Sequence, residues 1–192
     1  MKQRSPVEME ARSRAPEALQ RDLQRALTNG EFELYYQPVV SLLAHELLYH
    51  PVVRFGDHNT RSFEALIRWN HPERGMLLPA EFLEAAEETA LIVPLGEWAI
   101  REACREAASW PDNINVAVNV SPAQANDKSL ITAVVGAIAS AGLSADRLVL
   151  EVTESVFLRD ASINLSALKQ LNELGVRSVS YTHLTLPTIL RV

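Results

Sequence analysis

The chain has 192 residues, of which 47% are hydrophobic and 22% charged, and its formal net charge is −6. This length suits one domain with a sizeable core, and the negative charge argues against binding to nucleic acid or to an anionic membrane. The single cysteine, Cys104, excludes a disulfide framework, and the chain holds no run of about 18 apolar residues. We therefore expect a cytoplasmic protein, with a membrane-anchored parent as the open alternative.

The first half of the chain predicts a polar linker or tail, a helix, two strands that flank an irregular insertion, and two helices separated near Pro94. The tail is residues 1–15 and the first helix 16–29. The strands are 32–40 and 62–69, with the insertion at 41–60 between them. The last two helices are 79–89 and 97–110. Pro38 favours an edge position for the first strand. Three histidines (His45, His50, His58) lie in the insertion, and their spacing favours a solvated loop over a metal site. Cys104 lies on the apolar side of its predicted helix, which favours a core residue over a nucleophile.

The second half alternates strands with helices. Strands are predicted at 114–120, at 148–153 and from Val176 onward, and helices at 129–141 and 161–174. This alternation is typical of βαβ units and a parallel sheet, either open and doubly wound or closed as a barrel. Because no glycine-rich phosphate loop follows any strand, we favour the barrel.

Three polar residues lie at or near the carboxyl ends of predicted strands: Glu64, Asn119 and Glu151. Sites in parallel barrels are built at this edge, and a carboxylate that points inward needs a cation or hydrogen-bond donors. Two glutamates and an amide oxygen suit Mg²⁺ or Mn²⁺ better than zinc. On spacing alone, the alternative that these residues pair with Arg or Lys at the rim stays open.

Several ordered blocks of sequence are similar to one bacterial family. They are Tyr36-Gln37-Pro38, Glu64-Ala65-Leu66, Trp69 to Gly75, Pro79 to Leu83 with Ala85, Glu87 and Glu88, Val118 to Ser121, and Leu150 to Ser155. A lone Glu-Ala-Leu tripeptide would mean little, but this ordered set resembles the EAL domain, a phosphodiesterase that hydrolyses cyclic di-GMP. The family has a (β/α)8 TIM-like barrel with an unusual first strand. The resemblance implies that residues 16–178 form the N-terminal portion of such a domain, with its first four to five strands and their helices.

The resemblance also implies roles for individual residues. Glu64, Asn119 and Glu151 match metal ligands, and Glu154 matches a glutamate that holds the next active-site loop, although an exposed loop carboxylate is its alternative. Gln37, Leu66 and Arg68 match positions that contact the substrate, and the Arg68 guanidinium suits a phosphate because it can donate two parallel hydrogen bonds. The implied reaction is metal-assisted hydrolysis to linear pGpG with Mg²⁺ or Mn²⁺ at two metal sites.

The match stops near residue 179. The family has two aspartates that should fall at positions 181 and 182, where this chain has Tyr181 and Thr182, so we expect the second metal site to be lost and this chain to be inactive. The string from Val179 to Thr188 is similar to a translated sequencing adapter. We therefore expect residues 179–192 to be a non-native tail, with a genuine divergent C-terminus as the alternative.

Two functions follow from the resemblance. The first is a cyclic di-GMP phosphodiesterase whose parent carries an upstream sensory or GGDEF-type domain. The second is an inactive EAL-type module that binds cyclic di-GMP or another protein. In both cases the expected partner is cyclic di-GMP, with a homodimer as an open alternative and with no nucleic acid or membrane contact.

Overall fold

The computed structural model describes residues 6–40, 60–153 and 161–181. Within these ranges the chain forms helices α1 to α6, strands β1 to β6 and one turn of 3₁₀ helix. In chain order they are α1 Pro6–Asn29, β1 Phe32–Val40, β2 Thr60–His71, β3 Gly75–Leu77, α2 Pro79–Glu88, α3 Ile92–Ala107, β4 Asn115–Val120, α4 Pro122–Ala125, α5 Ser129–Ala141, the 3₁₀ turn Ala145–Arg147, β5 Leu148–Thr153, α6 Ala161–Glu173 and β6 Arg177–Tyr181. None of the described helices is long and apolar enough to cross a membrane.

The strands form one mixed sheet in the order β1-β2-β4-β5-β6, and β3 pairs with β2 beside this path. The β2–β4, β4–β5 and β5–β6 pairs are parallel, which confirms the predicted α/β fold with a parallel sheet. β1 is antiparallel to β2, from Phe32 opposite Trp69 to Gln37 opposite Glu64 and beyond. This antiparallel strand is a departure from the simple βαβ pattern, and it places Gln37 directly beside Glu64.

The two faces of the sheet have different surroundings. On β4, the predicted alternation is confirmed because Val116, Val118 and Val120 are buried, whereas Asn119 is exposed on the opposite face. The valines belong to the larger apolar core, which also contains residues from α3, α5, α6 and β5. Cys104 is buried in this core, and burial raises the pKa of its thiol to about 12, so the residue is a core side chain and not a thiolate nucleophile.

A second apolar core joins α1 and α2 to the ends of β1 and β2. It is built around Phe32, Trp69 and Phe82, whose ring centroids lie 5.5 to 5.9 Å apart. Polar contacts strengthen this junction, since Trp69 Nε1 donates to Glu31 Oε2 at 3.0 Å. Together these contacts hold β2, the strand that carries Glu64, against its helices.

A second polar contact connects β2 to α1. The Nδ1 atom of His71 accepts hydrogen bonds from the backbone N–H groups of Glu73 and Arg74. This leaves Nε2 as the protonated nitrogen, and it lies 3.4 Å from Asp22 Oδ2 of α1. The buried His71 ring therefore closes the turn after β2 and links that turn to the first helix.

Two boundaries differ most from those predicted. Residues 6–15 were expected to be a linker or tail, but α1 already begins at Pro6. Their Glu, Ala, Arg and Met residues favour a helix by intrinsic propensity, without an apolar stripe. The predicted break near Pro94 is wrong, because Pro94 lies in the first turn of α3, where no intrahelical N–H partner is needed. The break falls at Ala90, which has a φ of 58°.

Three other predicted segments coincide with observed elements, and one predicted segment lies almost entirely outside the described residues. β1, α5 and β5 begin and end at the predicted residues, and α5 stops at Gly142 in the left-handed conformation with a φ of 67°. β3, α4 and the 3₁₀ turn were not predicted. The insertion predicted at 41–60 lies outside the described residues, except for Thr60 at the start of β2.

Candidate functional site

The three predicted oxygen donors lie on neighbouring strands. Asn119 on β4 and Glu151 on β5 are partners in the parallel register, and Glu64 on β2 is the partner of Ala117, two residues before Asn119. Side chains two residues apart on a strand point to the same face, so all three lie on the face opposite the buried valines. The register therefore places them side by side across three strands.

Glu64 interacts with both other donors. Asn119 Nδ2 donates a hydrogen bond to Glu64 Oε1 at 2.7 Å. Glu151 is half-buried, and its burial together with the negative charge of Glu64 raises the pKa of its carboxyl to about 7. The structure thus brings Glu64 close to two residues that lie 55 and 87 positions further along the sequence.

The donor chemistry of this cluster fits a hard divalent cation. Two carboxylates and an amide carbonyl are oxygen ligands of the kind that Mg²⁺ and Mn²⁺ prefer, and Mg²⁺ usually keeps several waters as well. A cation beside Glu64 and Glu151 would offset the repulsion that raises the pKa of Glu151. In the described part of the chain, no group of three or more His, Cys, Asp or Glu side chains could hold a metal, and the third oxygen donor of this cluster is the side-chain amide of Asn119.

The alternative of simple rim ion pairs finds no support at these positions. The ion pairs within 4.0 Å among the described residues involve other carboxylates, such as Asp22, Glu97 and Glu102, and neither Glu64 nor Glu151. The negative charge of the cluster is therefore not neutralised by a neighbouring Arg or Lys of the described residues.

The predicted substrate-contacting residues lie on the same face of the sheet as Glu64. Gln37 lies opposite Glu64 in the β1–β2 register, and its side chain is exposed. Leu66 and Arg68 follow Glu64 on the same face of β2. Arg68 donates from Nη1 to the carbonyl of Ile67 at 2.8 Å. Gln37, Leu66 and Arg68 therefore form a continuous strip with the donor cluster.

The remaining predicted residues follow β5 and end or follow β6. Glu154 and Thr182 lie outside the described residues. Tyr181 ends β6 in register with Thr153 of β5, and only its backbone is described. Position 181 thus lies at the same edge of the sheet as the donor cluster, where the family resemblance expects an aspartate.

A cleft of about 340 Å³ opens beside the donor cluster. The β2–β4 ladder stops at Ala65 and Val118, although both strands continue beyond this pair. The cleft is lined by Glu64, Leu66 and Asn119 of the strands and also by Leu83 and Glu87 of α2. The cleft therefore extends from the donors towards the helices at the point where two strands are no longer paired.

The sequence did not predict that residues from α2 and α4 line this cleft. Gln124 is one of them, and it forms a capping box with Ser121 because each side chain bonds to the other residue's backbone N–H. The pattern Ser121-Pro122-Ala123-Gln124 directly after β4 is a signal for a helix start and could have revealed α4. Leu83 and Glu87 belong to the sequence blocks on which the family resemblance rests, but only the fold brings α2 to β2 and shows that these residues line the cleft.

The site lies within a region that matches a known family. The sequence profile of the EAL domain matches residues 44–179, which include Glu64, Asn119 and Glu151. This chain belongs to the EAL domain family. The matched region includes β2, β4 and β5, the strands that carry these three residues.

Individual relatives agree with this assignment. The EAL chain is 46% identical over 168 residues to the uncharacterised protein y4lL of Sinorhizobium fredii, and 39% identical over 172 residues to the bifunctional diguanylate cyclase/cyclic di-GMP phosphodiesterase MucR of Pseudomonas aeruginosa. Each match covers 88% of this chain but only 19% and 23% of the relatives. The chain thus spans about a fifth of the length of these curated relatives.

A solved structure shows the same fold. The MucR phosphodiesterase in complex with cyclic di-GMP superposes with a TM-score of 0.71 at 36% sequence identity. The superposition covers 86% of this chain and 66% of that one. The described sheet and helices are therefore those of an EAL domain with a TIM-barrel-like arrangement.

Proposed function

We propose that this chain is the N-terminal portion of an EAL-type (β/α)8 barrel, with its first four to five strands and their helices. Its parent protein hydrolyses cyclic di-GMP to linear pGpG by metal-assisted cleavage of the phosphodiester. The likeness to MucR, named as a cyclic di-GMP phosphodiesterase, supports this substrate and reaction. MucR is also named as a diguanylate cyclase, which supports a parent with an upstream domain of that type.

The observation that carries the proposal is the convergence of Glu64, Asn119 and Glu151. Asn119 contacts Glu64 at 2.7 Å, and the charge of Glu64 contributes to the raised pKa of Glu151. Two mutually repelling carboxylates are unfavourable at a partly buried position unless a cation offsets them. This arrangement favours cation binding over a purely structural role.

In the proposed mechanism, Glu64, Asn119 and Glu151 would hold Mg²⁺ or Mn²⁺. When bound, such an ion lowers the pKa of water and stabilises the charge that develops on phosphodiester oxygens. Arg68 binds a phosphate of the dinucleotide through its remaining N–H groups, and Gln37 and Leu66 contact the same ligand beside Glu64. Glu154 orients the loop that follows β5.

We further propose that the chain as given does not turn over substrate. Tyr181 and Thr182 stand where carboxylates are expected, and neither replaces a metal-binding aspartate. In this proposal residues 179–192 are a non-native tail. Sequencing the source locus tests this point, since native DNA that encodes the tail would contradict it.

Cation binding by the chain is the direct test of the site. Mn²⁺ titration followed by electron paramagnetic resonance should show binding that Glu64→Gln and Glu151→Gln each weaken at least about tenfold, because each removes a charged ligand. The matched control is Glu84→Gln, an exposed glutamate on α2 that should bind Mn²⁺ like the unaltered chain. Equal Mn²⁺ binding by all four proteins would contradict the site.

Turnover is tested in a completed barrel. Residues 16–178 joined to the C-terminal half of the MucR EAL domain should hydrolyse cyclic di-GMP with Mg²⁺ or Mn²⁺, and Glu64→Gln should abolish the activity. Turnover by the chain as given would contradict the proposed effect of Tyr181 and Thr182.

A second candidate is a module that binds cyclic di-GMP or a protein without hydrolysis. This candidate requires Tyr181 and Thr182 to be native residues, because their lack of a carboxylate is what favours it. A completed barrel that binds cyclic di-GMP but never hydrolyses it would support this candidate over the enzyme.

A further inference from the structure

Tyr35 is an exposed aromatic residue on the site side of β1. Its side chain is 46% exposed, and the register places it opposite Leu66, two residues from Gln37 and its partner Glu64. Its neighbour Tyr36 points to the opposite face, where its ring packs edge-on against Trp110 at 5.0 Å. The two adjacent tyrosines therefore differ in role, and packing explains only Tyr36.

Tyr35 contacts the positively charged side chain of Arg68. The guanidinium carbon of Arg68 lies 5.4 Å from the centroid of the Tyr35 ring, which is within the range of a cation–π interaction. Among the described residues, the other contact of the Arg68 head is the hydrogen bond from Nη1 to the carbonyl of Ile67. The ring and this carbonyl together restrict where the guanidinium can lie.

The kind of contact matters for what Arg68 can still bind. A guanidinium has five N–H donors, and the carbonyl of Ile67 takes one of them. A carboxylate partner would neutralise the charge and occupy more donors, whereas an aromatic face attracts the cation without accepting a conventional hydrogen bond. The Tyr35 ring therefore holds Arg68 in place and leaves its charge and most of its donors available for an anion.

We propose that Tyr35 is a positioning residue that holds the Arg68 guanidinium ready for a phosphate of the cyclic dinucleotide. This inference rests on the proposed function of the site. It goes beyond that function because it assigns a role to a residue that neither the sequence motifs nor the family resemblance singled out.

The test is binding of a fluorescent cyclic di-GMP analogue to the full chain. Tyr35→Leu removes the aromatic face and should weaken binding about threefold to fivefold, whereas Tyr35→Phe keeps the face and should stay within about twofold of the unaltered chain. Tyr36→Phe is the matched control on the opposite face and should also stay within about twofold. Thermal unfolding of each variant identifies any loss of binding that comes from misfolding.

A double-mutant cycle separates positioning from a merely structural effect. In an Arg68→Ala background, Tyr35→Leu should change affinity by less than about twofold, because the group that Tyr35 positions is gone. The same loss in both backgrounds, or no loss from Tyr35→Leu in the unaltered chain, would overturn the inference while leaving the proposed function intact.

A measurement without ligand completes the test. The side-chain N–H resonances of Arg68 should lie upfield through the ring current of Tyr35, remain so in Tyr35→Phe, and move downfield in Tyr35→Leu. An Arg68 resonance that is the same in all three proteins would overturn the pairing itself. If the unaltered chain does not bind the analogue at all, this inference fails, whereas binding and turnover by the completed barrel decide the proposed function separately.

Discussion

Glu151 is a residue whose ionisation links the site to the stability of the domain. Its pKa is raised from an ordinary value of 4.5 to about 7, first by burial and then by the charge of Glu64. Because the folded protein binds this proton more tightly than the unfolded chain does, the contribution of Glu151 to stability falls as pH rises from about 4.5 through 7. Above that range the Glu151 carboxyl is charged in the folded protein, and the unfavourable energy of that partly buried charge lowers the stability in full.

The expected consequence is a pH-dependent effect of Glu151→Gln. At pH 8 without divalent cations, the variant should melt about 2–4 °C higher than the unaltered chain, the shift that about 1 kcal/mol produces in a domain of this size. At pH 5 the difference should nearly vanish. Circular dichroism melts at the two pH values measure this, with Glu84→Gln as the control. An equal gain at both pH values would contradict the raised pKa as its cause.

Arg68 and Tyr35 show how far single residues can be interpreted from sequence. The family resemblance pointed to Arg68 as a phosphate ligand, but the partner that orients it came only from the structure. The two residues are 33 positions apart, and the antiparallel register of β1 and β2 brings them together. A contact of this kind depends on strand pairing, which no local pattern specifies.

At the scale of elements, the junction of α3 and α4 has an unusually close approach. Gly96 lies in α3, and a Cβ atom at this position would lie 1.7 Å from Gln124 Nε2. Gln124 is itself buried and caps α4 through Ser121. Glycine is therefore needed here for space, although it is a poor residue for a helix interior.

Gly96→Ala should consequently destabilise the domain by about 1–3 kcal/mol, because the Gln124 side chain must leave its position. In a Gln124→Ala background the same substitution should stabilise by up to about 1 kcal/mol, since alanine favours a helix. Urea unfolding of the two single variants and the double variant measures both effects. Stabilisation by Gly96→Ala in both backgrounds would show that the space at position 96 is not limiting.

Element boundaries were predictable where the signal is local. β1, α5 and β5 have clear apolar patterns or a terminal glycine, and they coincide with the predicted ranges. The start of α3 was mispredicted because a proline was treated as a helix breaker, although it is tolerated in the first turn. The deciding feature, the positive φ of Ala90, has no signature in the sequence.

At the scale of the whole molecule, the described sheet has two edges. Among the described residues, β1 and β6 each pair on one side only. Val179 on β6 is 42% exposed and has no charged neighbour in its strand except Arg177. Exposed strand edges with apolar side chains promote pairing between chains.

We therefore expect the purified chain to self-associate through β6. Val179→Lys should lower the associated fraction severalfold, because a charged residue on an edge strand opposes pairing. Val135→Lys is the matched control, since Val135 is also 42% exposed but lies on α5. Size-exclusion chromatography with light scattering at several concentrations measures this. A monodisperse monomer at all concentrations, or an equal effect of the two lysines, would contradict the role of β6.

The sequence by itself determined the family and the α/β class and predicted the oxygen donors, because these depend on local patterns and on ordered motifs along the chain. Only the tertiary structure decided how those donors act on one another. The contact of Asn119 with Glu64, the raised pKa of Glu151 and the Arg68 position over Tyr35 all arise between different strands. Burial and electrostatic interaction depend on distance through space, and strand pairing sets that distance independently of separation along the chain.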